Sequence, residues 1–191
     1  MYRRSFFISG RPISFLNLYN YNDFRPGNAT PPGKILRQGQ KNSCNLAYVT
    51  KFSAFSSFAW ILYTNDAHCG IEDGMGYQGL SAAKRALLAA GNKVLLVDNG
   101  DAVQGDTIGT LSKGEYIIDI MNKLGYDVAT PGNHEFDYGM DQFNKLVEKA
   151  DFDYISCNFV DKDGNPVLKP YVIKEADGVK IAFVGISTPK T

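Results

Sequence analysis

The chain has 191 residues, and its 20 Lys and Arg balance 20 Asp and Glu, so the formal net charge at pH 7 is zero. Hydrophobic residues make up 44% and charged residues 21%, the balance of an ordinary globular domain. A neutral chain has no bulk field with which to gather nucleic acid or an anionic membrane; a small anionic ligand remains open to it if a local cationic centre, such as a metal ion, is present.

The start, Met1-Tyr2-Arg3-Arg4, has the basic character of a signal-peptide n-region, but the apolar run Phe6-Phe7-Ile8 is short and Arg11-Pro12 breaks it. No run reaches the roughly 18 apolar residues of a membrane span. Up to residue 58 there is no sustained helical or strand period, and Arg25-Pro26-Gly27 and Pro31-Pro32-Gly33 interrupt the chain. Residues 1–58 are therefore expected to be an irregular extension, disordered or outside the domain, and residues 59–191 to be the domain. Asn28-Ala29-Thr30 fits a glycosylation sequon. Cys44, Cys69 and Cys157 match no zinc or redox spacing and read as free thiols.

From residue 60 the pattern becomes regular. Trp60-Ile61-Leu62-Tyr63 predicts a short buried strand. Residues 78–90 predict a helix with Leu80, Ala83, Leu87 and Leu88 on one face and Gly91 as its C-terminal cap. Val94-Leu95-Leu96-Val97 is a continuous apolar run of the kind buried on both faces of a parallel sheet. A helix is predicted over 116–124 with Ile117, Ile120, Met121 and Leu124 inward, then a strand at 127–129. A second helix is predicted over 140–149 with Met140, Phe143, Leu146 and Val147 inward, then a strand at 154–156. Two apolar runs, 171–173 and 181–184, flank Asp177-Gly178, a hairpin signal. Strand and helix alternate, so the fold class is α/β, built from βαβ units with a mainly parallel sheet. In such sheets ligands bind beyond the carboxyl ends of the strands.

Three polar loops follow three consecutive strands. In extended chain, residues two apart face the same way, so Asp66 and His68 of Asp66-Ala67-His68 can reach one metal as an oxygen and a nitrogen donor. In Asp98-Asn99-Gly100-Asp101, Gly100 permits a tight turn and close approach to a ligand, and the two oxygens of Asp101 can bridge two ions. Taken alone, these two segments also read as turns, and Asp106 reads as turn chemistry. In Gly132-Asn133-His134-Glu135-Phe136-Asp137, Asn133 offers an amide oxygen, His134 can donate to a phosphoryl or leaving-group oxygen, and Asp137 can fix its tautomer. The competing role for Asn133 or Asp137 is a helix N-cap. The chain has only two histidines, and both fall in these loops. Gly74-x-Gly76-x-x-Gly79 spells a dinucleotide-binding pattern, but it lies past the Asp-x-His loop instead of directly after the strand, which disfavours a plain nucleotide-binding domain.

In order, Asp66-Ala67-His68, Gly100-Asp101 and Gly132-Asn133-His134-Glu135 resemble the signatures of the metallophosphoesterase (calcineurin-like) superfamily. The wider text, Asn99-Gly100-Asp101-Ala102-Val103-Gln104-Gly105 and Phe136-Asp137-Tyr138-Gly139, resembles its branch of 5′-nucleotidases, UDP-sugar hydrolases and 2′,3′-cyclic-nucleotide 2′-phosphodiesterases. The resemblance implies an α/β/β/α sandwich, of which this chain carries the front part. It implies two divalent ions (Zn, Mn, Mg, Co or Fe), with Asp66 and His68 on the first, Asp101 bridging and Asn133 on the second. It implies that His134, held by Asp137, assists the transferring phosphoryl group while a metal-activated hydroxide cleaves a nucleotide phosphate ester in line. Relatives carry further histidine ligands downstream, in a Gly-His-x-His segment, and a carboxyl-terminal domain that holds the nucleoside. No histidine follows His134 here, so the alternative expectation is a truncated, non-catalytic product with weak metal or phosphate binding. The expected partner is a small nucleotide or other phosphate ester. Relatives are commonly exported or surface-bound, whereas no convincing signal peptide stands in this sequence.

Overall fold

The computed structural model describes residues 5–8, 11–19, 45–54 and 57–188. Its elements run β1 (Ser5–Ile8), β2 (Arg11–Tyr19), β3 (Asn45–Ala54), β4 (Ser57–Asn65), α1 (Gly76–Ala89), β5 (Lys93–Asp98), α2 (Thr107–Ser112), α3 (Glu115–Leu124), β6 (Val128–Ala129), α4 (Met140–Lys149), β7 (Asp153–Tyr154), β8 (Tyr171–Ala176) and β9 (Val179–Ile186). The Met1–Arg4 start, the two Pro-Gly breaks, the Asn28 sequon and Cys44 lie outside the described residues.

The apolar strands are continuous in sequence because each is buried on both sides. Ile61, Leu95, Val97 and Val128 face one way, into a core shared with Val179, Ile181 and Phe183. Leu62, Leu96 and Ala129 face the other way, into a core shared with Leu80 of α1, Ile117 and Met121 of α3, and Phe143 and Leu146 of α4. Period-two alternation thus sends neighbouring residues of one strand into different layers. Helices cover one face of the sheet and a second sheet covers the other, so the described residues stack as α, β, β.

The helix-covered sheet has strand order β3-β4-β5-β6-β7. Strands β4 to β7 are mutually parallel, and β3 is antiparallel to β4. The α/β fold with a parallel sheet is as the alternation predicts. The second sheet has order β1-β2-β9-β8. Its β8–β9 hairpin turns through Asp177 (φ 53°) and Gly178 (φ 74°), the paired positive angles of a tight hairpin turn. Strands β1, β2 and β3 fall within residues 1–58, where no strand period is legible in the sequence; β2 runs parallel to β9.

Two predicted inward residues point outward. Leu88 is 45% exposed, because the buried stripe of α1 runs through Tyr77, Leu80, Lys84 and Leu87. Lys84 lies along that stripe and its Nζ donates to the carbonyls of Leu124 and Gly125, capping the end of α3. Met140 is 41% exposed as the first residue of α4. Ile118, not expected inside, is fully buried. Helix α2 has only six residues, too few for its period to register; its N-cap is Asp106, whose carboxylate accepts from the Thr107 N–H, so the turn role expected for Asp106 holds as a cap.

Candidate metal centre

Strands β4, β5 and β6 end level with one another. Thr64 is paired with Asp98, and Asp98 with Ala129, so the loops that follow leave the sheet from one edge. Backbone hydrogen bonds then zip the first loop to the second: Asp66 N–H donates to Gly100 O (2.9 Å), His68 N–H to Asp101 O (2.8 Å) and Cys69 N–H to Ala102 O (3.0 Å). The Asn99 side-chain amide adds a bond to Asn65 Oδ1 at 2.7 Å.

This zipper brings Asp66 and His68 together by a route other than the expected one. Neither residue is extended: Asp66 has φ 60° and His68 φ 42°, and Asp101 joins them at φ 57°. The left-handed region costs an L-residue about 1–2 kcal/mol, so three such residues side by side are held there by their surroundings. Gly100, at φ 95°, does make a close approach, but to the backbone of Gly132 and Thr130 in the third loop.

The donor atoms of Asp66, His68 and Asp101 lie within 4.8 Å of one another, a spacing that can hold a metal ion. Their chemistry fits one. His68 Nδ1 is 2.9 Å from the Gln104 carbonyl oxygen, which can only accept, so Nδ1 donates there and Nε2 is the ring nitrogen left for the site. His68 Nε2 lies 2.9 Å from Asp66 Oδ1, so a nitrogen and an oxygen donor are placed where one cation could take both. An oxygen–nitrogen–oxygen set is compatible with zinc, manganese or iron.

The third loop contains a short 3₁₀ turn, His134–Phe136, anchored by Phe136 against Phe143 (ring centroids 4.8 Å) and Phe159 (5.0 Å). His134 N–H donates to Asp101 Oδ1 at 2.9 Å, which ties this loop to the candidate ligand. The His134 ring lies 4.8 Å from the His68 ring, edge to face, and its Nδ1 is 2.7 Å from Asp137 Oδ2. The expected His134–Asp137 pair is therefore formed. Partial burial disfavours the charged ring, but the Asp137 hydrogen bond and the charges of Asp101, Asp137 and Glu135 outweigh it and raise the His134 pKa above the ordinary value. Asn133, half-buried, immediately precedes His134 and opens the 3₁₀ turn.

Two carboxylates beneath these residues carry no role in the sequence-based expectation. Glu135, 1% exposed, accepts from the backbone N–H groups of Asp101 (2.8 Å), Ala102 (2.8 Å) and Gly132 (2.6 Å). Burial and the charge of Asp101 raise its pKa, against those three donors. Asp98 accepts from the Thr64 hydroxyl and from Gly100 N–H, and burial, opposed by the Thr64 bond and reinforced by the charge of Glu135, pushes it to about 8. Glu135 closes the Gly132-Asn133-His134-Glu135 segment, and its place three residues after Gly132 is the reach-back spacing of a capping pattern. Cys69 is buried beside the second loop, and burial pushes its thiol up to about 11.

The calcineurin-like phosphoesterase profile matches residues 59–184. A 2′,3′-cyclic-nucleotide 2′-phosphodiesterase/3′-nucleotidase of Yersinia enterocolitica is 32% identical to the chain, over 68% of this chain and 24% of its own length. A 5′-nucleotidase of Vibrio cholerae is 36% identical, over 69% of this chain and 25% of its own length. The crystal structure of the calcineurin-like phosphoesterase YfkN from Bacillus subtilis superposes with a TM-score of 0.56 at 30% identity, covering 68% of this chain and 48% of that one. The chain thus spans about a quarter of the length of these two curated relatives. With the α/β fold and the three loops at one sheet edge, the profile match over residues 59–184 means that the chain belongs to the calcineurin-like phosphoesterase family.

Proposed function

We propose that this chain carries the leading half of a two-metal site that hydrolyses phosphate esters of nucleotides. The observation that supports it most is the convergence of Asp66, His68 and Asp101 within 4.8 Å, with His134 gripping the same Asp101 from the third loop. Asp66 and His68 would hold the first ion, Asp101 would serve both, and Asn133 would hold the second. When bound, such ions polarise the phosphoryl oxygens and lower the pKa of a nucleophilic water. The protein's own contribution is positional and protonic. His134, with Nδ1 committed to Asp137, would have Nε2 left to donate to a phosphoryl or leaving-group oxygen. Its raised pKa favours the protonated, donating form. The relatives named as nucleotidases and cyclic-nucleotide phosphodiesterases support a nucleotide as substrate class.

The test is phosphate release from 5′-AMP, 3′-AMP and 2′,3′-cyclic AMP, with manganese and with a chelator. His134→Ala should lower turnover by about 10²–10⁴ while leaving manganese binding in place. Release that is indifferent to chelator, or equal in the variant, defeats the proposal. A second reading, binding without turnover, is favoured by the uneven donor set: Asp66, His68 and Asp101 converge on one position, whereas the second ion would have only Asn133 beside the shared Asp101. Calorimetric manganese uptake with no phosphate release from any of these substrates would select it.

A further inference from the structure

We propose that Glu135 is a positioning residue that sets the geometry of Asp101, and through it the metal affinity of the site. This rests on the metal-site reading above. Glu135 is not one of the three converging donors. Its carboxylate instead accepts from Asp101 N–H and Gly132 N–H with one oxygen and from Ala102 N–H with the other. One side chain thereby ties the loop after β5 to the loop after β6. The neighbouring residue completes the grip, because His134 N–H donates to Asp101 Oδ1. Asp101 is held by its backbone from residue 135 and by its side chain from residue 134, while its own φ of 57° lies where an unsupported aspartate seldom rests.

A carboxylate this buried is costly unless hydrogen-bonded, and apolar packing alone would call for an apolar residue. Only an acceptor with two oxygens serves all three N–H groups. A glutamine turns one end into a donor facing a donor, and an aspartate keeps the charge on a shorter arm. Outer hydrogen-bonding partners of metal ligands typically change affinity by about 10–100-fold when removed.

The test titrates the full 191-residue chain with manganese by calorimetry and with cobalt by visible absorption. Wild type is compared with Glu135→Gln, Glu135→Asp, the ligand control Asp101→Asn and the distant core control Ile181→Ala. The expected result is a manganese Kd weakened about 10–100-fold in Glu135→Gln, with a shifted cobalt spectrum, and partial recovery in Glu135→Asp. Ile181→Ala should melt lower with its Kd unchanged. If Glu135→Gln is unfolded at the assay temperature, Glu135→Asp carries the comparison, with an affinity between that of wild type and Asp101→Asn expected. Wild-type affinity and spectrum in the Glu135 variants would overturn the positioning role and leave the metal site standing. An equal loss in Ile181→Ala would overturn it too, by tracing the effect to stability. No metal uptake by the wild type would overturn the metal-site reading itself, and the role of Glu135 with it.

Discussion

Replacing Gly100 with alanine tests whether the candidate site is held by contact between its second and third loops. Two costs add. Gly100 sits at φ 95°, a conformation that costs an L-residue about 1–2 kcal/mol. The new methyl would also fall well inside contact distance of Gly132 N, with Gly132 Cα and Thr130 O both at 2.9 Å. Those are backbone atoms of a loop tied down by Glu135, so no side chain can swing away. Overpacking of this kind costs about 1–3 kcal/mol, giving a total of about 2–5 kcal/mol. At about 2–4 °C per kcal/mol for a chain of this size, the melting temperature should fall by about 4–20 °C. Gly91→Ala supplies the control, because Gly91 has φ 80° but nothing within 4 Å of the added methyl. It should lose only the conformational part, about 1–2 kcal/mol. Thermal melts of the two variants, paired with manganese titration, isolate the loop contact: Gly100→Ala alone should weaken metal binding. Equal melts and equal affinities in the two variants would refute the reasoning.

The two described cysteines should differ sharply in reactivity. Iodoacetamide at neutral pH should alkylate exposed Cys157 well before Cys69, whose thiol is fully buried and pushed up to about 11; peptide mass mapping over time reads the order, and simultaneous labelling would contradict the burial. The Asp153 carboxylate should stabilise the fold only above acid pH. Although partial burial works against its charged form, hydrogen bonds from Lys169 and Lys174 hold its pKa below the ordinary carboxylate value. A depressed folded pKa gives stability that is present above about pH 4 and lost as the pH falls further. Asp153→Asn should therefore cost up to about 1 kcal/mol in urea melts at pH 7, given how exposed the pair with Lys169 is, with the gap narrowing as the pH falls below about 4. A gap that stays constant with pH would remove the ionic account.

The parallel sheet was legible because its strands are buried on both sides. Ile61 and Leu62, or Leu95 and Leu96, serve opposite layers, and the sequence records this as unbroken apolar runs. Helix faces were legible where the stripe is purely apolar, as in Phe143 and Leu146, and misjudged where Lys84 takes part in it, since its buried stem is invisible to a hydrophobic period. At the candidate site the donor residues were legible by type and order. Their geometry was not: Asp66 and His68 converge through left-handed backbone and a loop-to-loop zipper, which no local rule encodes. Glu135 stood inside a quoted motif and still carried no role, because its three partners are backbone N–H groups, two of them more than thirty residues away.

A net charge of zero also concealed how charge is arranged along the strands. Asp66, Asp98, Asp101 and Glu135 all gather at the carboxyl edge of β4, β5 and β6, each 8% exposed or less. Lys84 instead reaches the carbonyls of Leu124 and Gly125, just before β6 begins, and Lys169 and Lys174 reach Asp153 at the start of β7. At the amino edge the lysines stand beside carboxylates, with Asp153 paired to Lys169 and Lys174, whereas at the other edge Asp98, Asp101 and Glu135 have N–H and hydroxyl donors in place of lysines. Burying four carboxyls together is unfavourable unless protons, N–H donors or cations offset them. Asp98, at about 8, meets this partly with a proton, and Glu135 with three N–H groups. Asp66 and Asp101, which stand with His68 Nε2 in the cluster, are the two whose geometry suits a cation. The gathering of these buried carboxyls thus makes the carboxyl edge of the sheet a place where a divalent ion is electrostatically favoured, before any phosphate arrives.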